Sequence, residues 1–265
     1  MTNELRFTIL GCGSSGGVPR LGGNWGECNP DNPKNFRRRC SMLVQRITDA
    51  GTTNVLIDTS PDMRMQLLDV GLKHLDAVIY THAHADHTTG LDDLRQFVLI
   101  QRAQMNVYAD AATQEALLDR FNYAFVQPEG SFYPAILKMN DLQDITKING
   151  DGGCIEFMAL EVDHGTPAKG FRIDDLAYIP DVVRIPEETW PRLAGLDCWI
   201  IDALRRTPHA THTHLSNTLE WVEQVKPRRA VITNMHIDLD YDDVMAETPE
   251  NTIPAYDGLT ISYPL

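Results

Sequence analysis

Between Thr81 and Thr88 the chain reads THAHADHT, so His82, His84, Asp86 and His87 place four side chains able to bind metal within six residues. Imidazoles packed beside a carboxylate repel one another when charged, and they are costly to desolvate without a cation. Nitrogen and oxygen donors with no cysteine suit zinc, manganese or iron, and the alternating spacing lets neighbouring side chains address two different ions. Such a cluster needs further ligands from elsewhere. His164 follows CIEFMALEVD, Asp181 follows LAYIP and His236 follows RRAVITNM. Each lies just beyond an apolar, strand-like run, which is where ligands converging on one rim of a β-sandwich have to lie.

The elements that must hold these residues read mainly as short strands: 6–10, 41–47, 54–58, 77–81, 106–109, 154–162, 176–179, 198–202, 229–233 and 259–262. Helical patterns fall between some of them. Ser60-Pro61 predicts an N-cap and a first-turn proline for MRMQLLDV, which Gly71 closes; 91–101, 111–121, 186–194 and 216–225 read likewise. Early strands with little helix, followed by strands alternating with helices, suggest two sheets packed face to face with helices outside, in one α/β domain over 1–265. Gly11, Gly13 and Gly16 spell GxGxxG after a strand, yet the run Gly17-Val18-Pro19-Arg20-Leu21-Gly22-Gly23 that follows starts no helix to face a pyrophosphate. The stretch from Gly11 to Pro33 reads instead as a long ordered loop.

Composition bounds the partners. With 265 residues and 43% hydrophobic content the chain can build a full core. A formal net charge of −14 argues against a sequence-independent grip on nucleic-acid backbone. No apolar run approaches the roughly 20 residues needed to span a bilayer, and the start MTNELRFTILGCG lacks a signal-peptide pattern, so cytoplasmic residence is expected. The five cysteines, Cys12, Cys28, Cys40, Cys154 and Cys198, are odd in number and form no CxxC pair, as structural thiols would.

HxHxDH followed by a distant His, Asp and His at strand ends resembles the metallo-β-lactamase superfamily, over essentially the whole chain. The opening GCGSSGGVP, RRRCS at Arg37–Ser41, LIDTSPD at Leu56–Asp62 and the closing PAYDGL resemble the PhnP-like cyclic phosphodiesterases, with ribonuclease Z a more distant relative. The resemblance implies a four-layer αββα sandwich and two divalent transition-metal ions, zinc or manganese. It implies that His82, His84 and His164 hold one ion, that Asp86, His87 and a last histidine hold the other, and that Asp181 bridges them. Asp58 would orient the loop without binding metal. The family's last ligand stands in a Thr-His context. Here Thr233-Asn234 takes that place, leaving His236 as the expected ligand and Asn234 as its rival. The family's cysteine-rich zinc site is not expected, because only Cys28 survives. PhnP-like enzymes place a catalytic histidine near HATHTH (209–214); spacing matches it to His212, with His214 the competitor and His209 on a surface loop. Asp86 completes the candidate catalytic set.

The function expected is hydrolysis of a small cyclic or nucleotide-like phosphodiester, with Arg37, Arg38 or Arg39 contacting phosphate and no large nucleic acid or membrane as partner. A thioesterase or lactonase on the same scaffold, and a non-catalytic metal- or nucleotide-binding protein, are the alternatives.

Overall fold

A computed structural model describes residues 3–265. The described chain divides into two compact units. One holds the N-terminal residues up to Thr8, Ser41–Glu156 and Thr260–Leu265; the other holds Ile9–Cys40 and Phe157–Leu259. In chain order the strands are β1 (Glu4–Gly11), β2 (Ser41–Thr48), β3 (Gly51–Ile57), β4 (Ala77–Ile79), β5 (Met105–Ala109), β6 (Leu137–Asp141), β7 (Ile145–Gly150), β8 (Gly153–Asp163), β9 (Pro167–Ile173), β10 (Leu176–Ile179), β11 (Cys198–Asp202), β12 (Arg229–Thr233), β13 (Thr252–Pro254) and β14 (Thr260–Pro264). The α-helices are α1 (Met63–Asp69), α2 (Ala85–Thr88), α3 (Arg95–Gln101), α4 (Ala111–Phe125), α5 (Leu215–Val225) and α6 (Tyr241–Glu247).

The strands form two mixed sheets, ordered β14-β1-β2-β3-β4-β5-β6 and β13-β12-β11-β10-β9-β8-β7. In the first, β2 and β3 make an antiparallel hairpin, and β3, β4, β5 and β6 then run parallel. In the second, β10 to β13 run parallel. Strands buried on both faces read as continuous apolar runs, and Val55, Leu56, Ile57, Val78, Ile79, Ile200 and Ile201 are all fully buried. Parallel α/β sheets gather their functional groups beyond the carboxyl ends of the strands. Asp58 directly follows β3, Asp181 lies just past β10, Asp202 ends β11 and Asn234 directly follows β12.

Several expectations are corrected. Helices cross over in the early half too, with α1, α2, α3 and α4 between consecutive parallel strands. The segment 186–194 is not an α-helix: only a short 3₁₀ turn, Trp190–Leu193, forms there, opened by Pro191. Asp62, not Ser60, stands at the N-cap position of α1; the Ser60 hydroxyl and carbonyl instead accept from the amides of Asp62 and Met63, closing a turn before the helix. α5 starts at Leu215, one residue before the expected 216, with His214 at its cap position. The strands β6, β7, β9 and β13 were not expected. Their sequences LKMND, ITKING, PAKGFRI and TIP carry polar residues, glycine or proline, or are too short for a period to register. The loop from Gly11 to Pro33 is ordered, tied by the bridges Gly13↔Arg39, Gly13↔Met235 and Val18↔Arg37. Among the described residues no helix is long and apolar enough to cross a membrane.

Candidate metal centre

The first unit carries the HxHxDH cluster on the turn from β4 into α2. Its geometry is set by Asp58, fully buried at the end of β3 with φ +62°. The Ser41 hydroxyl donates to its carbonyl (2.9 Å) and its own amide donates to Ile79 (3.0 Å). Three donors converge on its carboxylate: Thr81 N (2.8 Å), Thr81 Oγ1 (2.7 Å) and His87 Nδ1 (2.8 Å). Burial pushes the Asp58 carboxyl above its usual range, and the His87 contact opposes this. Because the Thr81 hydroxyl donates its proton to Asp58, its contact with His82 Nδ1 (3.0 Å) is one it accepts. Both His82 and His87 therefore carry their proton on Nδ1 and turn Nε2 outward as a lone pair.

The rings of His82 and His84 lie 4.6 Å apart by centroid, and those of His82 and His87 4.3 Å apart. His82 and His87 are buried, Asp86 is half-buried and His84 is exposed. Asp86 Oδ2 is 3.6 Å from His87 Nε2. The His82 and His87 rings, with their Nδ1 protons held from behind, turn Nε2 to where a divalent ion would sit. Gly90 closes the loop: a Cβ there would stand 2.1 Å from the Ser60 carbonyl oxygen, so only glycine lets the chain return beside Ser60.

The second unit supplies a separate donor set. His164, just past β8, donates Nδ1–H to the Thr211 carbonyl (2.6 Å), leaving Nε2 3.4 Å from Asp181 Oδ2. Asn234, at φ +60°, donates from Nδ2 to Asp181 Oδ1 (3.1 Å) and stands 3.2 Å from His212 Nδ1. His212 Nδ1 is also 2.9 Å from Oδ2 of the fully buried Asp202, which accepts from Val182 N as well (3.0 Å). Burial raises the Asp202 carboxyl to about 7, against the pull of His212. The His164 and His212 rings are 4.3 Å apart. His209 lies 5.3 Å from His212 by centroid, and its pKa is lowered by burial and by His212.

His236 is half-buried and held through both ring nitrogens, Nδ1 by Asp238 (3.1 Å) and Nε2 by the guanidinium of Arg20. His214 is half-buried and makes no side-chain capping bond to α5. Of the three arginines expected to contact phosphate, Arg37 is only 1% exposed; its guanidinium donates to Asn35 Oδ1 (3.0 Å) and the His236 carbonyl (3.5 Å). Arg38 pairs with Asp257 (3.0 Å), and Arg39 is half-buried. Sequence reasoning missed Thr81, the Thr211 carbonyl, Asp202 and Arg20. Asp202 and Thr81 were legible only as the polar ends of apolar strands.

Residues 53–237 match the Beta-lactamase superfamily domain. A diphosphatase of the PhnP family is 34% identical, covers 100% of this chain and 99% of its own, and superposes with a TM-score of 0.87. The octanoyltransferase of Porphyromonas gingivalis is 32% identical across 96% of this chain, which spans only 51% of that relative's length. Zn(2+)-bound PqqB from Methylobacterium extorquens, at 20% identity and a TM-score of 0.73 over 97% of this chain and 99% of its own, shares the fold. The α/β sandwich expected from the sequence is thus the fold of this protein, and its donor sets of imidazoles and carboxylates suit divalent metal ions. The chain belongs to the metallo-β-lactamase superfamily and resembles the PhnP family.

Proposed function

We propose that this protein hydrolyses a P–O bond in a small cyclic or nucleotide-like phosphodiester, using two divalent transition-metal ions, zinc or manganese. His82, His84 and His164 would hold one ion, Asp86 and His87 the other, with Asp181 bridging. We assign the remaining position on the second ion to Asn234, because its amide lies against Asp181 whereas both ring nitrogens of His236 are engaged elsewhere. When bound, the ions supply Lewis acidity toward the phosphoryl oxygens and lower the pKa of water.

The observation that carries the reading is the His212–Asp202 pair, 2.9 Å apart, beside Asn234, whose Nδ2 donates to Asp181 and lies 3.2 Å from the His212 ring. Asp202 fixes the ring so that Nε2 is the atom that hands a proton to the leaving oxygen. An alkoxide leaving group needs that proton as the P–O bond breaks, and a thiolate does not. The pair therefore favours an oxygen ester over a thioester. The diphosphatase named for the PhnP-family neighbour supports a second substrate, the phosphoanhydride bond of a small diphosphate. Acyl chemistry is the competing reading, since the octanoyltransferase relative shares 96% of this chain. A metal-supplemented panel of a nucleoside 2′,3′-cyclic phosphate, a nucleoside diphosphate, a thioester and a lactone separates these readings. Turnover of the thioester or lactone alone would remove the phosphoryl assignment.

A further inference from the structure

We infer that Arg20 is an anion-binding residue that takes a phosphoryl group of the substrate, an inference that rests on the phosphoryl reading above. Arg20 sits at the base of a turn pinned by three backbone bonds, Arg20 N to Asn24 O (2.9 Å), Gly23 N to Arg20 O (3.0 Å) and Asn24 N to Arg20 O (3.3 Å). Its side chain runs over Gly16, where a Cβ would lie 3.2 Å from Arg20 Nε and 3.3 Å from Cγ. The absence of a side chain at Gly16 thus opens the channel along which the arginine passes. Gly16, the last glycine of the GxGxxG run, leaves room for the arginine stem.

The guanidinium ends on His236 Nε2. The other ring nitrogen, Nδ1, is 3.1 Å from Asp238. Among the described residues Arg20 makes no ion pair with a carboxylate, although the chain has 37 Asp and Glu residues against 23 Lys and Arg. One of its five N–H donors is used, and the rest of the planar fork matches two oxygens of a phosphoryl group. His236 lies two residues beyond Asn234, whose amide touches Asp181 and His212. The guanidinium therefore meets, at His236, the chain segment that also carries Asn234. Arg37 and Arg38, by contrast, are committed to internal partners.

The test is calorimetric titration of the protein as purified with inorganic phosphate, comparing wild type, Arg20→Ala and Arg20→Lys. Arg20→Ala should weaken phosphate binding at least tenfold with metal content unchanged by elemental analysis, and Arg20→Lys should fall between because an ammonium lacks the fork. With substrate, KM should rise by a similar factor while kcat stays within about threefold. If the rise is confined to a nucleoside diphosphate, Arg20 holds the phosphoryl group next to the reacting one; if it also appears with a cyclic phosphate, Arg20 holds the reacting group itself. Equal phosphate affinity in wild type and Arg20→Ala would overturn the inference even if the enzyme hydrolyses phosphodiesters. So would an Arg20→Lys variant that loses its metal, since Arg20 would then be a structural pin for His236. Weakened phosphate binding in a protein that turns over only thioesters would retain the anion site and reject the phosphoryl reading.

Discussion

His87 Nδ1 and Asp58 Oδ2 are 2.8 Å apart in a fully buried setting, and the same carboxylate oxygen receives the Thr81 hydroxyl that holds His82. One carboxylate thus sets the tautomer of two imidazoles. Asp58→Asn keeps the shape and tolerates φ +62°, but it puts an amide where one acceptor must serve several donors. Metal affinity, measured by competition with a chelator, should fall about 10–100-fold. Retention equal to wild type would show that the rings need no such support.

The assignment of Asn234 over His236 is tested by metal stoichiometry. Wild-type protein purified without chelator should contain close to two transition-metal ions per chain. Asn234→Ala should lower that number and Asn234→His should restore it, while His236→Ala should leave it unchanged. Loss of metal in His236→Ala alone would return His236 to the ligand set.

Removing the acid separates His212 from the ligands. His212→Ala should keep its metal yet lose roughly 10²–10⁴-fold in rate on a phosphodiester with a poor leaving group. The loss should shrink when p-nitrophenolate leaves, because that group departs without a proton. Asp202→Asn should show the same leaving-group dependence to a smaller degree, and His214→Ala should cost much less than either. A nearly normal His212→Ala beside an inactive His214→Ala would transfer the acid role to His214.

Asp257 offers a stability test apart from the chemistry. It accepts from Cys12 N (3.2 Å) and from Arg38 N and Nε (2.9 and 3.0 Å), and burial raises its pKa to about 6, against the pull of Arg38. The folded state therefore binds this proton more tightly than the unfolded chain. The associated stability is full below the unfolded value near 4 and is lost as pH rises through about 6. Thermal unfolding of wild type minus that of Asp257→Asn should accordingly decline between pH 4 and 6.5. A flat difference across that window would mean that Arg38 compensates the charge fully.

Much of the fold was legible because its central strands are apolar on both faces: 176–179, 198–202 and 229–233 are read from sequence with their observed limits. The edge strand β7 escaped because half its side chains are exposed, and the inner strand β9 because proline, lysine, glycine and arginine interrupt its apolar pattern. The HxHxDH cluster announces itself by local density. The partners that aim it do not, since Asp58 and Thr81 meet only through pairing of β3 with β4, and Asp202 reaches His212 across a loop. Arg20 was hidden for a different reason: its importance lies in the carboxylate it lacks, which no spacing records.

The left-handed corners at Asp58 and Asn234 also act as a filter on sequence drift. At φ +62° and +60° the backbone disfavours most side chains, while aspartate, asparagine and histidine are tolerated. Nearly every residue that such a corner admits is itself a hydrogen-bond partner or a metal donor, glycine excepted. A chain wandering at position 234 is therefore steered toward asparagine, aspartate, histidine or glycine by steric cost alone, before selection on activity has any say. The Thr233-Asn234 departure then belongs to the small set of exchanges by which a metal centre can change its last donor without its scaffold having to move.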